Sequence, residues 1–307
     1  MSAPGSLSAS AHVALGPEQV WALLLELRRQ IRSLATLPEC LGLGFDGQGQ
    51  PTHMAIDDPT LLLAIAADGS WSTRIPVSEP GVELLELYLP MALACRARSW
   101  TVAHLGQSLD GRIATIDGVS HYVNGPENLT HLHRMRALGD AIVVGACTVE
   151  CDDPQLTTRR VTGSNPVRVI LDPRRRLAAA HGVFQDQAAP TWLVCAEELA
   201  DDNGPGHARL IGVPYDGQRL DLRAMMQRLH AGGLFGIFVE GGGQTVSAFL
   251  EQALLDRLQI AVAPLIIGSG RSGITLPPVQ DLSQGLRPRH RRYIMGEDVL
   301  FDCRLGD

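Results

Sequence analysis

Three consecutive glycines are the first candidate in this chain for chemistry on a ligand. Gly241, Gly242 and Gly243 follow an apolar segment that ends at Val239 and Glu240, and they precede Gln244, Thr245 and an amphipathic stretch. Glycines let the backbone approach a ligand closely, and the free N–H groups at the start of a helix favour an anion. The same residues would also form a tight strand-to-helix turn with no ligand. The pattern alone leaves both interpretations open.

Carboxylates and arginines supply the remaining candidate groups. Asp152 and Asp153 lie beyond the apolar segment that ends at Gly145, and ligands of open α/β sheets bind at the carboxyl ends of strands. Aspartate before proline is also typical of a plain turn, which the residues by themselves favour. Arg136 and Arg159 are candidate anion ligands, because a planar guanidinium matches a phosphate, although most arginines are merely solvated and the residues by themselves favour that interpretation. All 26 basic residues are arginine, which excludes a Schiff-base lysine and a Walker lysine.

Other motifs carry no site. The one G-x-G-x-x-G run, Gly42–Gly47, does not lie between a strand and a helix, so we predict a surface turn there. Cys147 and Cys151 would share a helical face, but no further ligand lies nearby; we expect buried thiols and no metal. His131 and His133 are two residues apart and therefore lie on different helical faces.

The elements that position the candidate groups begin near Ser99. Continuous apolar runs such as Ile142–Val144, Val169–Leu171 and Ile237–Val239 are typical of strands buried on both faces, so we predict a mostly parallel sheet flanked by helices. The predicted strands are Trp100–Leu105, Ala141–Gly145, Val167–Asp172, Trp192–Cys195, Gly236–Glu240 and Leu258–Ile267. The predicted helices are Pro126–Leu138, Leu220–His230 and Gln244–Gln252. We expect Arg291–Cys303 to close the sheet antiparallel, after a solvated turn formed by the arginine cluster 287–292.

Residues 1–98 have a different texture. After a Ser/Ala/Gly tail, apolar residues at helical spacing predict a helix over Pro17–Ala35. Asp68-Gly69 between apolar runs predicts a β-hairpin, and Val82–Cys95 predicts a second helix, stopped or bent at Pro90. This part is predicted to be a small α+β region.

Composition restricts the partners. A net charge of −7 argues against a nucleic-acid or anionic-membrane surface, and the 45% hydrophobic content excludes a disordered chain. The N-terminus lacks the pattern of a signal peptide, and no apolar run is long enough for a bilayer span. We therefore expect a cytoplasmic protein with neither nucleic-acid nor membrane partners.

Five ordered segments after residue 99 resemble the reductase domain of the riboflavin-biosynthesis deaminase/reductase family. They are Leu105–Arg112, Thr148-Val149 with Asp152–Arg159, Pro166–Asp172, Val239–Gly242 and Ala263–Gly268. The resemblance implies a dihydrofolate-reductase-like fold for residues 99–307. It also implies NADPH-dependent reduction of a ribosylaminopyrimidine 5′-phosphate to the ribitylamino product, and we expect a homodimer.

The resemblance implies roles for individual residues. Asp152 is expected to orient the reacting end or to assist proton transfer. The implied substrate contacts are His104, Ser120, Arg136, Leu156, Arg159 and Glu240. The implied cofactor contacts are Gly106, Tyr122, Thr148, Asp152, Gly241, Gly242, Gly243, Gln244 and Thr245. Arg174, Arg175 and Arg176 are expected to meet the 2′-phosphate of NADPH.

The chain departs from the family pattern at three places. His104 stands where the family usually has lysine, and Tyr122 where it usually has another aromatic residue. Residues 1–98 lack the H-x-E and P-C-x-x-C zinc motifs of a deaminase, so their role is open. Two alternatives to the main interpretation remain: a paralogous reductase of a related pyrimidine or pterin, and a non-catalytic nucleotide-binding protein.

Overall fold

The computed structural model describes residues 14–34, 36–120, 123–201 and 203–306. In the N-terminal part of this range, two helices flank a four-stranded antiparallel sheet with the strand order β2-β1-β3-β4. The elements are α1 (Pro17–Ser33), β1 (Cys40–Phe45), β2 (Pro51–Met54), β3 (Leu63–Ala66), β4 (Trp71–Thr73) and α2 (Glu79–Ala92). The predicted hairpin around Asp68-Gly69 is confirmed, because β3 pairs antiparallel with β4. The first helix is confirmed to Ser33, whereas its predicted last residue, Ala35, lies outside the described residues.

The expectation of a surface turn over Gly42–Gly47 is wrong for its first half. Gly42 and Gly44 lie inside β1, where a side chain at Gly42 would overlap the Met54 carbonyl and a side chain at Gly44 would meet the Met54 sulfur. The glycines therefore allow β2 to pack closely. The turn itself begins at Asp46, whose carboxylate accepts the N–H groups of Gln48 and Gln50.

The C-terminal part is built around a large sheet. Its elements are β5 (Trp100–Ser108), β6 (Arg112–Ala114), α3 (Pro126–Leu138), β7 (Ala141–Gly145), α4 (Ala146–Asp152), β8 (Val167–Leu171), α5 (Gly182–Gln185), β9 (Thr191–Ala196), β10 (Arg209–Val213), α6 (Leu222–Ala231), β11 (Gly236–Glu240), α7 (Gly243–Glu251), β12 (Arg257–Ala263), β13 (Arg271–Ser272), β14 (Arg289–Met295) and β15 (Asp298–Arg304). Short 3-10 helices span Glu197–Leu199 and Leu282–Gln284.

The described residues form a nine-stranded sheet with the order β10-β9-β8-β7-β11-β5-β12-β15-β14. The seven strands from β10 to β12 are parallel, and β15 and β14 are antiparallel. The predicted mostly parallel sheet is confirmed, and so is its antiparallel closure. The arginine cluster is corrected: from Arg289 onward it is edge strand β14, not a turn. An edge strand with one solvated face accommodates charged residues readily.

Each face of the sheet has its own hydrophobic core. On one face, residues of α6 and α7 such as Met225 and Phe249 pack against Val143 and Val239. On the other face, Leu27 of α1, Tyr88 of α2 and Met135 of α3 belong to one cluster with Ile142 and Phe238. This second core is continuous between the N-terminal part and the sheet.

An ion pair also joins the two parts. The Arg28 guanidinium lies 2.5 Å from the Asp140 carboxylate; the Arg28 side chain is buried and the Asp140 side chain is nearly so. Asp140 also accepts the N–H groups of Phe235 and Gly236, at the amino end of β11. Among the residues described, no helix combines the length and the apolar composition that a bilayer span requires.

Candidate active site

A cavity of about 760 Å³ opens at the carboxyl ends of β7, β8 and β11. Parallel strands bring their carboxyl ends to one edge of the sheet, which is where ligands bind in this architecture. Of the predicted cofactor residues, the cavity is lined by Thr148, Gly242, Gly243, Gln244 and Thr245. The sequence-predicted residues from two distant segments, α4 and the glycine turn, therefore share one pocket.

The glycine turn is shaped for close approach of backbone and ligand. Gly241 has φ +130°, which side chains rarely tolerate, and Gly242 is the N-cap residue of α7. A side chain at Gly243 would overlap the carbonyl of Gly273, which follows β13 and packs against this turn. The N–H groups of Gly243 and Gln244 donate to no described residue. Two free donors and a helix start are suited to a phosphate.

Arginines surround this cavity. Arg174, Arg176, Arg219 and Arg271 line it, and Arg176 makes no ion pair with any described residue. Arg175 does not line it: its guanidinium is held by Asp201 and by the Leu199 carbonyl, so the expectation for this residue is not met. Arg219 and Arg271 carry no local sequence signal, because Arg219 lies in a turn and Arg271 in the short strand β13, and only the fold brings both to the cavity.

Predicted substrate residues form a second cluster beside the glycine turn. The Arg136 guanidinium binds Glu240 through two hydrogen bonds of 2.8 and 2.5 Å and donates a third to the Thr157 carbonyl. Leu156, which precedes Thr157, is buried and has a left-handed backbone with φ +55°. The two clusters adjoin, since Glu240 immediately precedes Gly241.

Arg159 is the more open of the two predicted phosphate ligands. Its side chain is exposed and donates to the Thr157 hydroxyl, whereas its backbone N–H donates to Nδ1 of His133. Burial, followed by the charges of Arg136 and Arg159, lowers the pKa of His133 to about 4. His133 is therefore neutral near pH 7, and Arg159 carries the accessible positive charge of this cluster.

His104 lies beneath this cluster, at the β5 position that pairs with Glu240 of β11. Its ring is buried and its Nε2 atom is 3.0 Å from the Asn128 amide oxygen. Burial lowers the pKa of His104 to about 4. The residue at the family's usual lysine position is thus an uncharged, hydrogen-bonded core side chain.

Asp152 and Ser120 meet at the end of α4. The Ser120 hydroxyl donates to the Asp152 carboxylate at 3.4 Å, and Thr148, one turn earlier on α4, lies beside the Gly241-Gly242 turn. At Gly106, a side chain would overlap the amide of Asn124, so that glycine accommodates a protein neighbour. Tyr122 lies outside the described residues.

The cysteines of α4 are placed differently from expectation. Cys147 and Cys151 are both exposed, because this short helix lies at the surface of the sheet edge, so the prediction of buried thiols is wrong for these two. No group of three or more His, Cys, Asp or Glu side chains within the described ranges is arranged to hold a metal ion.

Comparisons with known proteins agree with this architecture. Residues 99–294 match the family model described as the RibD C-terminal domain. A 2,5-diamino-6-ribosylamino-4(3H)-pyrimidinone 5′-phosphate reductase of Methanothermobacter thermautotrophicus is 33% identical over 213 residues, which are 67% of this chain and 97% of that protein. The riboflavin biosynthesis protein RibD of Aquifex aeolicus is 30% identical over 66% of this chain and 57% of its own length.

A solved structure shows the same similarity. It is the diaminohydroxyphosphoribosylaminopyrimidine deaminase/5-amino-6-(5-phosphoribosylamino)uracil reductase of Thermotoga maritima, with a TM-score of 0.60, 26% identity, and coverage of 75% of this chain and 64% of that one. The family model spans both clusters and every strand of the large sheet except β15 and the last residue of β14, which is more than half of the sequence. This chain therefore belongs to the RibD C-terminal domain family.

Proposed function

We propose that this protein reduces a ribosylaminopyrimidine 5′-phosphate to its ribitylamino product with NADPH as the reductant. The observation that carries the proposal is that Glu240 and Gly241 are adjacent at the end of β11. One belongs to a polar cluster suited to a pyrimidine phosphate, and the other belongs to a glycine turn suited to a dinucleotide. The M. thermautotrophicus relative, named as a reductase of such a compound, supports the substrate class.

The residues of the cavity fit a phosphorylated dinucleotide. The N–H groups of Gly243 and Gln244, which donate to none of the described residues, are donors for a pyrophosphate at the start of α7. Arg174 and Arg176 on the cavity wall are suited to a 2′-phosphate. When bound, NADPH supplies the hydride for the reduction. The protein's part is to align the reactants and exclude water.

Glu240 and Arg136 act together in this proposal. Both Glu240 oxygens accept hydrogen bonds from Arg136, so the carboxylate is held ionised and fixed in orientation. Each oxygen retains a second lone pair that can accept an N–H of the pyrimidine. Arg136 then positions Glu240, and Arg159, with its exposed guanidinium, binds the substrate phosphate. Asp152, held by Ser120, orients the reacting end or transfers a proton to it.

NADPH oxidation followed by its absorbance tests the function. The purified protein is offered two substrates, the 2,5-diaminopyrimidinone and the 5-aminouracil ribosylamine phosphates, and the ribitylamino product is identified by mass spectrometry. We expect turnover of at least one. Binding of both ligands with no oxidation would refute the proposal and favour a nucleotide-binding protein.

One observation favours the second candidate, a paralogous reductase with a different ring preference. The uncharged, buried His104 presents no cation to the substrate ring where the family usually has lysine. Turnover of a pterin or another pyrimidine in preference to both ribosylamine phosphates would support it.

Cofactor preference is the second test. We expect NADPH to bind much more tightly than NADH, and the Arg176→Ala variant to reduce that difference. Arg175→Ala is the matched control, because Asp201 holds its guanidinium away from the cavity. Equal dissociation constants for the two cofactors in the unmodified protein would overturn the assignment of the 2′-phosphate to this loop.

A further inference from the structure

His133 is a buried polar side chain of α3 that contacts the predicted substrate cluster. It lies one turn before Arg136, so both side chains are on the same face of the helix. Arg136 donates to the Thr157 carbonyl, and Nδ1 of His133 accepts the backbone N–H of Arg159, with 2.9 Å between the two nitrogens. This face of α3 therefore holds the segment that carries Arg159 at two points.

The contact with Arg159 determines which ring nitrogen of His133 carries the proton. The ring is neutral near pH 7, because burial and the charges of Arg136 and Arg159 lower its pKa to about 4. Nδ1 accepts an N–H, so the single ring proton is on Nε2. An imidazolium would have no acceptor atom and would repel both arginines. The positive charge of the cluster thus keeps His133 in the form that holds the Arg159 backbone.

Arg159 is held by its side chain as well as by its backbone. One nitrogen of its guanidinium donates to the Thr157 hydroxyl at 2.7 Å. An exposed, unrestrained arginine loses rotamer freedom when it binds a ligand, which weakens binding. Contacts at both ends restrict Arg159 before a ligand arrives, and this pre-organisation favours tighter binding.

The charge of Arg159 is available to an anion. Among the described residues, Glu240 is the one carboxylate whose charge acts on Arg159, and both Glu240 oxygens already accept hydrogen bonds from Arg136. Arg160, the next residue, is exposed and adds a further positive charge. Neither Arg159 nor Arg160 makes an ion pair with any described residue. Three arginines against one carboxylate leave an excess of positive charge, which favours a phosphate dianion.

We propose that His133 is a positioning residue for the substrate phosphate: its Nδ1 atom holds the Arg159 backbone where the guanidinium meets that phosphate. The proposal rests on the proposed function, in which Arg159 binds the substrate phosphate. His133 acts through Arg159 and takes no part in hydride transfer. Its replacement should therefore weaken binding of the phosphorylated substrate and leave kcat and NADPH affinity nearly unchanged.

Two variants of equal shape test the acceptor role of Nδ1. The side-chain oxygen of His133→Asn lies as many bonds from Cα as Nδ1 does and can accept the Arg159 N–H, whereas His133→Leu has the same branching and no acceptor. Calorimetric titration of the full-length protein with ribose 5-phosphate measures the phosphate contact without the pyrimidine ring. We expect His133→Leu to weaken ribose 5-phosphate binding by about tenfold, as loss of one hydrogen bond does, and His133→Asn to weaken it by about threefold or less. Steady-state kinetics should show the same factors in KM for the pyrimidine phosphate, with NADPH affinity unchanged.

An Arg159→Gln background shows whether His133 acts through Arg159. We expect His133→Leu to weaken binding by less than about twofold in that background, because the group that it positions is gone. The same tenfold loss in both backgrounds would overturn the proposal, and so would equal affinities of the two single variants. Thermal unfolding checks that each variant is folded. If His133→Leu is not, His133→Gln replaces it, because its amide oxygen lies one bond further from Cα and is out of place for the same N–H.

The outcomes separate this proposal from the proposed function. The expected pattern of ribose 5-phosphate affinities, without NADPH oxidation on any substrate offered, would refute the proposed function and support the role of His133. Turnover with an unchanged KM in His133→Leu would do the reverse. Absence of ribose 5-phosphate binding by the unmodified protein at millimolar concentration would overturn Arg159 as the phosphate ligand, and the role of His133 with it.

Discussion

Replacing Arg28 by methionine would remove the charge that joins α1 to the sheet and keep most of the apolar stem. The guanidinium is 2% exposed and the Asp140 carboxylate is 9% exposed, so the pair lies almost entirely out of water. The guanidinium also donates to the carbonyls of Ala92 and Ala94 at the end of α2. Its loss leaves these acceptors and a buried carboxylate short of partners. Breaking a buried pair in this way costs about 3–5 kcal/mol of the free energy of unfolding.

Arg32 provides the matched control for this experiment. It contacts the same Asp140 oxygen at 3.1 Å, but its side chain is 35% exposed, so solvent screens the interaction. Arg32→Met should therefore cost about 1 kcal/mol or less. Urea denaturation followed by circular dichroism measures both variants. If Arg28→Met costs no more than Arg32→Met, the argument that burial makes the first pair strong is refuted.

The pH dependence gives an independent check of the same pair. Burial alone would raise the pKa of Asp140, but Arg28, the N–H groups of Gly236 and Phe235, and Arg32 together outweigh burial. The pKa is therefore lowered in the folded protein. A carboxyl group with a lowered folded-state pKa stabilises the protein above its unfolded pKa, about 3.9, and that stability is lost as the pH falls further. The difference in unfolding free energy between the original protein and Arg28→Met should therefore shrink below about pH 4. A difference that stays constant with pH would contradict the assignment to Asp140.

Three further outcomes are expected. Arg159→Ala should raise KM for the substrate by about 30–150-fold, equivalent to about 2–3 kcal/mol for a charge-assisted contact, with NADPH affinity nearly unchanged. An unchanged KM for the substrate together with weaker NADPH binding, measured by steady-state kinetics, would contradict this. Gly243→Ala should lower the free energy of unfolding by about 1–3 kcal/mol and weaken NADPH binding, because its Cβ meets the backbone of Gly273. Gly47→Ala has open space around it and should change neither the unfolding free energy, measured by urea denaturation, nor NADPH affinity, measured by titration. A fragment of residues 97–307 should aggregate on gel filtration, because it exposes the core that α1 and α2 cover, and a monodisperse folded fragment would count against a shared core.

The central strands were predictable because their signal is local. Val143 and Ile142 point to opposite faces of β7, and each face is covered by helices, so every position of the strand is apolar. Strand β10 lay outside the prediction because it is at the edge of the sheet, where Arg209 is exposed and the apolar run is broken. Edge position is a property of the whole fold, which a local pattern does not contain.

The candidate site also has one part that the local sequence predicts and another that only the fold brings together. The glycine turn was identified from its own residues, since strand, glycines and helix are consecutive in the chain. The ion pair of Arg136 with Glu240 joins residues 104 positions apart, and no spacing rule connects them. The resemblance placed both residues at the substrate, but only the folded chain shows that one guanidinium is occupied by the other's carboxylate.

The histidines of α3 show that the N-terminal part supports the candidate site through packing. Spacing places His131 and His133 on different faces of the helix, and each face meets a different partner. Nδ1 of His131 lies 2.7 Å from the Tyr88 hydroxyl of α2, and its Nε2 lies 2.9 Å from the Gln259 oxygen of β12. The Gln259 amide nitrogen donates to Asp302, which fixes its oxygen as the acceptor from His131 and makes Tyr88 the donor to Nδ1.

This chain of hydrogen bonds crosses the boundary at residue 98 inside the protein core. Burial lowers the pKa of His131 to about 3, so the ring is neutral and depends on both partners for its polar atoms. The His131 ring also lies 5.4 Å from that of His104, centroid to centroid, directly beneath the predicted substrate residues. Removing α2 would therefore leave a buried imidazole nitrogen without its donor next to the site, in addition to exposing an apolar face. Sequence motifs place every predicted site residue after residue 99, but the packing that holds those residues in position begins at α1 and α2.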